Sequence, residues 1–306
     1  MNKQILCRVL TGPTASGKSD LALRIAKEEG WVILCMDSMQ IYRGMDIGTA
    51  KPTAFERSET EHYMLDICDP REPYSVSRYV QEAERTVIRL HSEEKEVLFV
   101  GGTGLYLEGM MKPMRMGSVP ADPDLRDELH RIADGPEGRN LIDQMLRKYD
   151  PDTADKLPLN DLRRRIRAIE VSRLTGVPFS RQGNKAEESC FSWKVVSTFM
   201  NRETLYQRIN RRVDRMIADG LADEVRELVR AGVPEDAQSM QAIGYKEMIP
   251  YLHGECTMNQ AAEEIKTNSR HYAKRQMTFL KKLEGITYVS TETNDACREI
   301  KKILKG

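Results

Sequence analysis

Eight residues near the start of the chain, Gly12-Pro13-Thr14-Ala15-Ser16-Gly17-Lys18-Ser19, fit the spacing G-x-x-x-x-G-K-[ST]. That spacing is built for phosphate. Small residues let the backbone turn its N–H groups inward, a Lys adds a point charge, and the last hydroxyl faces a divalent cation. The N–H groups of Thr14, Ala15, Ser16, Gly17 and Lys18 are expected to form an anion nest, helped by the positive end of the helix that follows. Ser19 is expected to carry Mg²⁺. A Gly-rich turn with a chance Lys-Ser is the plain structural alternative, and the position between a strand and a helix argues against it.

A phosphoryl-transfer enzyme with such a loop also needs a carboxylate at the end of a second strand to hold Mg²⁺. The natural second strand is "EVLFV", 96–100, but it runs into Gly101-Gly102-Thr103-Gly104 and offers no Asp. The nearest strand-end carboxylate is Asp37, which closes "WVILCMD", 31–37, and is followed by Ser38, Met39 and Gln40. Asp37 suits an outer metal ligand or a general base in the cleft, and as a structural residue it would cap a turn. The Gly101–Gly104 turn brings close backbone approach and the hydroxyl of Thr103.

The elements that must position these groups alternate. Strands are expected at 4–10, 31–37 and 96–100, with helices at 19–29 and 75–94 and after Gly104. Strand–loop–helix units of this kind give a parallel sheet with helices on both faces, and ligands lie at the carboxyl ends of the strands. From 122 to 173 no strand is expected, and helices are placed at 122–133, 138–148 and 160–174. A polar linker is read at 181–189, and "MMKPMRM", 110–116, as a hinge. Strand character resumes at 193–200, helices follow at 202–231 and 257–283, and a last strand at 286–290. The fold class is therefore α/β, with a core from 1–118 and 191–306 and an all-helical insertion at 119–190.

Bulk composition bounds the partners. The chain has 306 residues, 40% hydrophobic and 31% charged, with zero formal net charge. No global basic surplus points to nucleic acid, so only local clusters could. Two exist. Arg163, Arg164, Arg165 and Arg167 surround Ile166, and six Lys/Arg with no Asp or Glu fall in 265–283, interleaved with Tyr272 and Phe279. Solvated basic helices are the structural alternative. The six cysteines are scattered without a C-x-x-C pair, and the five histidines are dispersed; both are read as structural. No signal peptide or membrane span is expected, so a soluble, cytoplasmic, monomeric protein is.

"GPTASGKS", "DSMQIYRGMDIGTAKP", "GGTGLY", "NDLRRRIRAIEV", "QAIGYKE" and "RHYAKRQMTF" occur in this order. On these blocks the chain resembles the bacterial tRNA dimethylallyltransferase (tRNA isopentenyltransferase) family, essentially end to end. The resemblance implies a P-loop kinase-like core whose insertion grips the tRNA anticodon stem-loop. It implies transfer of a dimethylallyl group from dimethylallyl diphosphate to N6 of the adenosine 3′-adjacent to the anticodon. Gly12 and Thr14 to Ser19 would hold the diphosphate, with Mg²⁺ at Ser19. Asp37 would take a proton from the adenine amine, and Thr103 would assist at the leaving oxygen. Arg212, or else Arg208, would clamp the diphosphate. Asp37, Ser38, Met39 and Gln40 would contact the target base. Arg163 to Arg167, with Lys274, Arg275 and Gln276, would lie along the tRNA. Phe279 stands where the family pattern has Trp. A small-molecule kinase and a prenyltransferase acting on free adenine nucleotides are the competing readings.

Overall fold

The computed structural model describes residues 4–112, 122–182 and 190–306. The chain divides into two compact units, Met1–Met111 with Ser189–Gly306, and Lys112–Glu188. The expected hinge at 110–116, the linker at 181–189 and the boundary at 118/119 lie wholly or mostly outside the described residues.

The first unit opens with β1 (Ile5–Thr11), α1 (Lys18–Glu29), β2 (Val32–Cys35), α2 (Ala54–Glu59) and β3 (His62–Tyr63). It continues through α3 (Val76–Ser92), β4 (Val97–Val100) and α4 (Gly104–Met111). The second unit holds α5 (Pro123–Asp134), α6 (Gly138–Tyr149), α7 (Pro151–Lys156) and α8 (Leu162–Thr175). The chain then returns to the first unit with β5 (Phe191–Phe199), α9 (Arg202–Ala218), α10 (Leu221–Arg230) and α11 (Tyr245–Leu252). It ends with α12 (Met258–Leu280), β6 (Ile286–Ser290) and α13 (Ala296–Lys305).

The strands form one parallel sheet in the order β3-β2-β4-β1-β5-β6. A parallel sheet covered on both faces needs strands that are apolar on both sides. β1 meets this, with Cys7 and Val9 buried in one layer and Leu10 in the other. Arg8 is the exception. Its guanidinium donates to Leu304 O at 3.1 Å and to Glu96 at 3.2 Å, and lies 4.5 Å over the Trp31 ring. The buried cation is thus fully occupied.

One face is covered by α1 and α13 through Ala22, Ile25, Ala296 and Ile300. The other is covered chiefly by α3, α4, α10, α11 and α12. The period of 75–94 places Val76, Val80, Ala83, Val87 and Leu90 on one stripe; on α3 the buried residues are Tyr79, Ala83, Val87 and Leu90, while Val76 and Val80 are half-buried. The stretch expected as one helix over 202–231 is two. Gly220 takes φ +101°, which ends α9 and turns the chain into α10.

The second unit is helical throughout its described regular elements and has its own core of Leu129, Ile142, Leu146, Ala154, Ile166 and Ile169. Two of its helices start on the same local signal. Asp122 and Asp150 accept from the N–H groups of Leu125 and Thr153, at 3.0 and 3.1 Å, and each is followed by a Pro at the first helical position. Among the described residues no helix is long and apolar enough to cross a membrane.

Candidate active site

β2, β4 and β1 are neighbours, so their carboxyl ends bring Asp37, the turn Gly101–Gly104 and the loop Gly12–Ser19 to one edge of the sheet. The loop is locked from the far side by β5. Gly12 takes φ +143°, and a Cβ there would stand 2.2 Å from Thr198 Oγ1 and 2.8 Å from its carbonyl, so only Gly fits. The hydroxyls of Ser16 and Thr198 share a hydrogen bond of 2.7 Å, and Thr198 donates on to Thr11 O at 3.2 Å. Ser16 is therefore held in the frame of the loop. Ala15 and Gly17 take left-handed φ values of +62° and +84°, and Gly17 caps α1.

Lys18 is buried and donates to Pro13 O at 3.3 Å. Burial, then the nearby Arg212, push its pKa down to about 8, while Asp37 opposes them. The two candidate Arg clamps sit one turn apart on α9. Arg208 donates to Ala15 O at 2.9 Å and so lies on the outer edge of the loop. Arg212 donates to Thr49 O at 3.3 Å. Its pKa is lowered by burial and held up by Asp37 and Asp20. Asp20, in the first turn of α1, joins the site as a group that no motif in the sequence singles out.

Asp37 Oδ1 accepts from Met39 N at 2.9 Å, the turn-capping role of an Asp after a strand. The same carboxylate acts on its surroundings: after burial it is the largest influence raising the pKa values of Tyr106 and Tyr272. Asp37 therefore fixes its own loop and also reaches the cationic and phenolic groups around it. Thr103 N donates to Met36 O at 3.3 Å, and Thr103 Oγ1 accepts from Ser38 N at 3.0 Å, joining the turn after β4 to the loop after β2. Gly101 packs so closely on β2 that a Cβ there would lie 1.9 Å from Met36 O.

The loop after Asp37 is held from below. The N–H groups of Asp46, Ile47 and Gly48 donate to the Glu224 carboxylate at 2.9, 2.7 and 3.1 Å, and Tyr245 Oη donates to it at 2.6 Å. Lys51 donates to Tyr42 O, Asp46 and Asp66. Gln40, expected against the target base, uses its amide to bind Thr49 O at 3.0 Å and Ala50 O at 3.2 Å. Its side chain therefore shapes the loop.

Several RNA-side expectations change. Gln276 is only 6% exposed, so its side chain cannot lie along an RNA. Its Oε1 accepts from Thr14 N at 2.9 Å and its Nε2 donates to Gly102 O at 2.9 Å. Thr14 correspondingly leaves the expected anion nest, because its N–H is already committed to Gln276. Lys274 and Arg275 are exposed, and Arg275 lies 5.7 Å over the Tyr272 ring. Tyr272 turns out to be a site residue: Thr103, Gln276 and Asp37 all act on its hydroxyl. Phe279 packs on the turn, 2.4 Å from where a Gly104 Cβ would be.

Arg165 is 1% exposed and belongs to the core of the helical unit. It donates to Asp143 at 2.5 Å, to Pro158 O at 2.9 Å, to Ala154 O at 3.0 Å and to Leu157 O. Ile166 is buried beside it. Neither can contact tRNA, because α8 turns this side inward. Arg167 pairs with Glu170 at 2.5 Å and Arg164 with Asp161 at 3.3 Å. Arg163 and Arg164 are exposed, leaving an outward basic edge of the cluster.

Among the described residues no group of three His, Cys, Asp or Glu could hold a metal. Mg²⁺ needs no such group. It keeps most of its waters and takes its remaining ligands from a substrate phosphate and one or two protein oxygens. The exposed hydroxyl of Ser19, beside the turned-in loop at the start of α1, fits that donor set.

A phosphate loop after the central strand of a parallel sheet defines a P-loop protein. The comparisons with known proteins go further. The IPP transferase family model matches residues 40–283. The tRNA dimethylallyltransferase of Shouchella clausii is 41% identical over 291 residues, 95% of this chain and 93% of that protein. That of Pelotomaculum thermopropionicum is 41% identical over 300 residues, 98% of this chain and 95% of that protein. The crystal structure of the full-length tRNA isopentenylpyrophosphate transferase from Bacillus halodurans superposes with a TM-score of 0.72 at 38% identity, covering 99% of this chain and 96% of that one. A eukaryotic dimethylallyltransferase, described as acting on tRNA, gives 0.82 at 26% identity, covering 98% and 78%. The chain belongs to the IPP transferase family.

Proposed function

We propose that this protein is a tRNA dimethylallyltransferase. It moves a dimethylallyl group from dimethylallyl diphosphate to N6 of the adenosine 3′-adjacent to the anticodon and releases diphosphate. One observation carries the choice over a kinase. The strand end where a phosphoryl-transfer enzyme keeps its Mg²⁺-holding Asp is here Gly101, and any side chain at that position would strike the backbone of Met36. The carboxylate of the cleft is instead Asp37, one strand over.

In this reading the loop holds a leaving group. The carbon–oxygen bond to the diphosphate breaks with its electron pair on oxygen, and a nitrogen–carbon bond forms to N6. Lys18, the loop N–H groups, Arg212 and Arg208 stabilise the departing charge. Thr103 donates to the oxygen that leaves. Asp37 accepts the N6 proton, which raises the electron density of a weakly nucleophilic amine. Mg²⁺ at Ser19, when bound, would neutralise charge on the leaving diphosphate. Ser38 and Met39 stand beside the base. Arg163, Arg164, Lys274 and Arg275 supply the phosphate contacts that seat the anticodon stem-loop. Such a protein works where tRNA is, in the cytoplasm.

The test is incubation with tRNA lacking this modification, labelled dimethylallyl diphosphate and Mg²⁺. Label is expected in the adenosine next to the anticodon. Equal labelling of free AMP, or transfer of phosphate from ATP with no label in RNA, would overturn the reading.

A further inference from the structure

The loop Gly12–Ser19 and the turn Gly101–Gly104 follow different strands, yet both must address one small donor. The diphosphate sits on the first, and the hydroxyl of Thr103 stands on the second. Thr11 Oγ1 ties their bases together by donating to Gly101 O at 2.8 Å, and further out they are bridged by one buried amide from a third element. Gln276 of α12 accepts from Thr14 N and donates to Gly102 O, each at 2.9 Å. The turn is shaped for it, since a Cβ on Gly102 would lie 2.2 Å from Gln276 Nε2. The same face of α12 continues one turn earlier with Tyr272, whose hydroxyl interacts with Thr103, and ends with Phe279 against Gly104.

Resting on the function proposed above, we propose that Gln276 is a positioning residue. It fixes the loop and the turn relative to each other, so that Thr103 meets the oxygen that leaves while the diphosphate is held. It touches neither substrate. Its hydrogen bonds to the loop and to the turn both run to backbone, so the geometry it sets is independent of the side chains in the loop.

A positioning role has a separable signature. The N–H groups of Ala15, Gly17 and Lys18 and the Lys18 ammonium remain when Gln276 is replaced. In Gln276→Met, inorganic diphosphate is therefore expected to bind within about threefold of the unchanged protein, while kcat for prenyl transfer falls by roughly 30- to 100-fold from misplacement alone. Gln276→Glu keeps the acceptor for Thr14 N and loses the donor to Gly102 O, and a kcat loss of similar size is expected. Thr103→Ala lowers kcat on its own. If Gln276 works through Thr103, the double variant Thr103→Ala/Gln276→Met falls no more than about threefold below the lower of the two singles.

Effects that multiply in the double variant overturn the proposal, as does a parallel loss of diphosphate affinity and kcat. Failure of both the Met and the Glu variant to fold assigns Gln276 to stability alone and also overturns it. Absence of prenyl transfer by the unchanged protein overturns the underlying function itself, an outcome distinct from all of these.

Discussion

Lys18 carries its charge where burial and Arg212 both work against it, and a bound diphosphate would relieve that. On its own, the buried charge lowers the stability of the fold. Its pKa is about 8 when folded, against 10.5 as the ordinary Lys value, so the unfolded chain binds more protons between those two pH values. The shift corresponds to about 3 kcal/mol of lost stability below pH 8. That loss fades as pH rises from 8 to 10.5. Lys18→Met is accordingly expected to melt at a higher temperature than the unchanged protein at pH 7, with the gap closing by pH 10.5 in thermal scans. In the same variant, donor affinity should collapse. Asp37→Asn separates in the opposite sense: anticodon stem-loop affinity holds, and kcat drops by roughly 10²–10⁴. Near-normal turnover would remove Asp37 from the chemistry. The arginines of α8 divide by burial. Arg165→Ala is expected to cost about 3–5 kcal/mol of stability, because the carbonyls of Ala154, Leu157 and Pro158 lose their buried donor and Asp143 keeps only Arg147. Arg163→Ala should leave folding alone, weaken RNA binding evenly across sequences and reduce the salt slope by about one. At this scale the sequence shows residue types and spacing but not direction. "RRRIR" is a basic cluster by composition, and only packing reveals that its middle Arg faces inward. Gln276 likewise takes its reading in sequence from its basic neighbours, when its buried amide serves the loops.

At the scale of elements, what aims the site is a set of contacts between segments far apart in sequence. The loop between β2 and α2 contains Thr49, whose carbonyl holds both Gln40 and Arg212. That loop is held by Lys51 and, at three successive N–H groups, by the carboxylate of Glu224 in the first turn of α10. Glu224→Gln keeps the volume but leaves an amide facing four donors. We expect kcat/KM to fall by about tenfold, equal to about 1.4 kcal/mol of transition-state stabilisation. The fall should arise mainly as a raised KM for the donor, since Arg212 loses its anchor. An unchanged KM would show that the loop holds itself. Local signals locate most of these elements. The period of α3 and the start of α5 are readable in a few residues each, whereas α7, which opens on the same Asp-Pro signal, falls in the gap between the helices expected at 138–148 and 160–174. The break between α9 and α10 rests on the φ of one Gly inside an otherwise continuous helical pattern. β3 has two residues and no periodicity to read. Such features are decided by tertiary packing, so a short window of sequence does not contain them.

For the molecule as a whole, the alternation of apolar strands and amphipathic helices is enough to specify a parallel sheet with its ligand edge at the carboxyl ends. The order β3-β2-β4-β1-β5-β6 is not specified that way, because strands read as apolar runs carry no label of their neighbours. The separate core of the helical unit leads to a further expectation. A fragment spanning 122–182 should show helical circular dichroism with a cooperative melt, although at that size its stability is marginal. The rest of the chain, closed by a short linker, should still bind inorganic diphosphate within about threefold, because the residues proposed to hold the donor all lie in the first unit. Loss of diphosphate binding in that shortened protein would place donor residues in the helical unit.

The locks on Gly12–Ser19 also impose an order on how the protein comes into being. A ribosome releases the phosphate loop before the residues that lock it, since Thr198 follows Ser16 by 182 residues and Gln276 follows Thr14 by 262. A nascent chain halted before residue 276 would display the whole phosphate signature and still lack the amide that joins it to the turn. The joined arrangement of loop and turn therefore arises only once Gln276 has been made, and a product that stops before it cannot form that bridge.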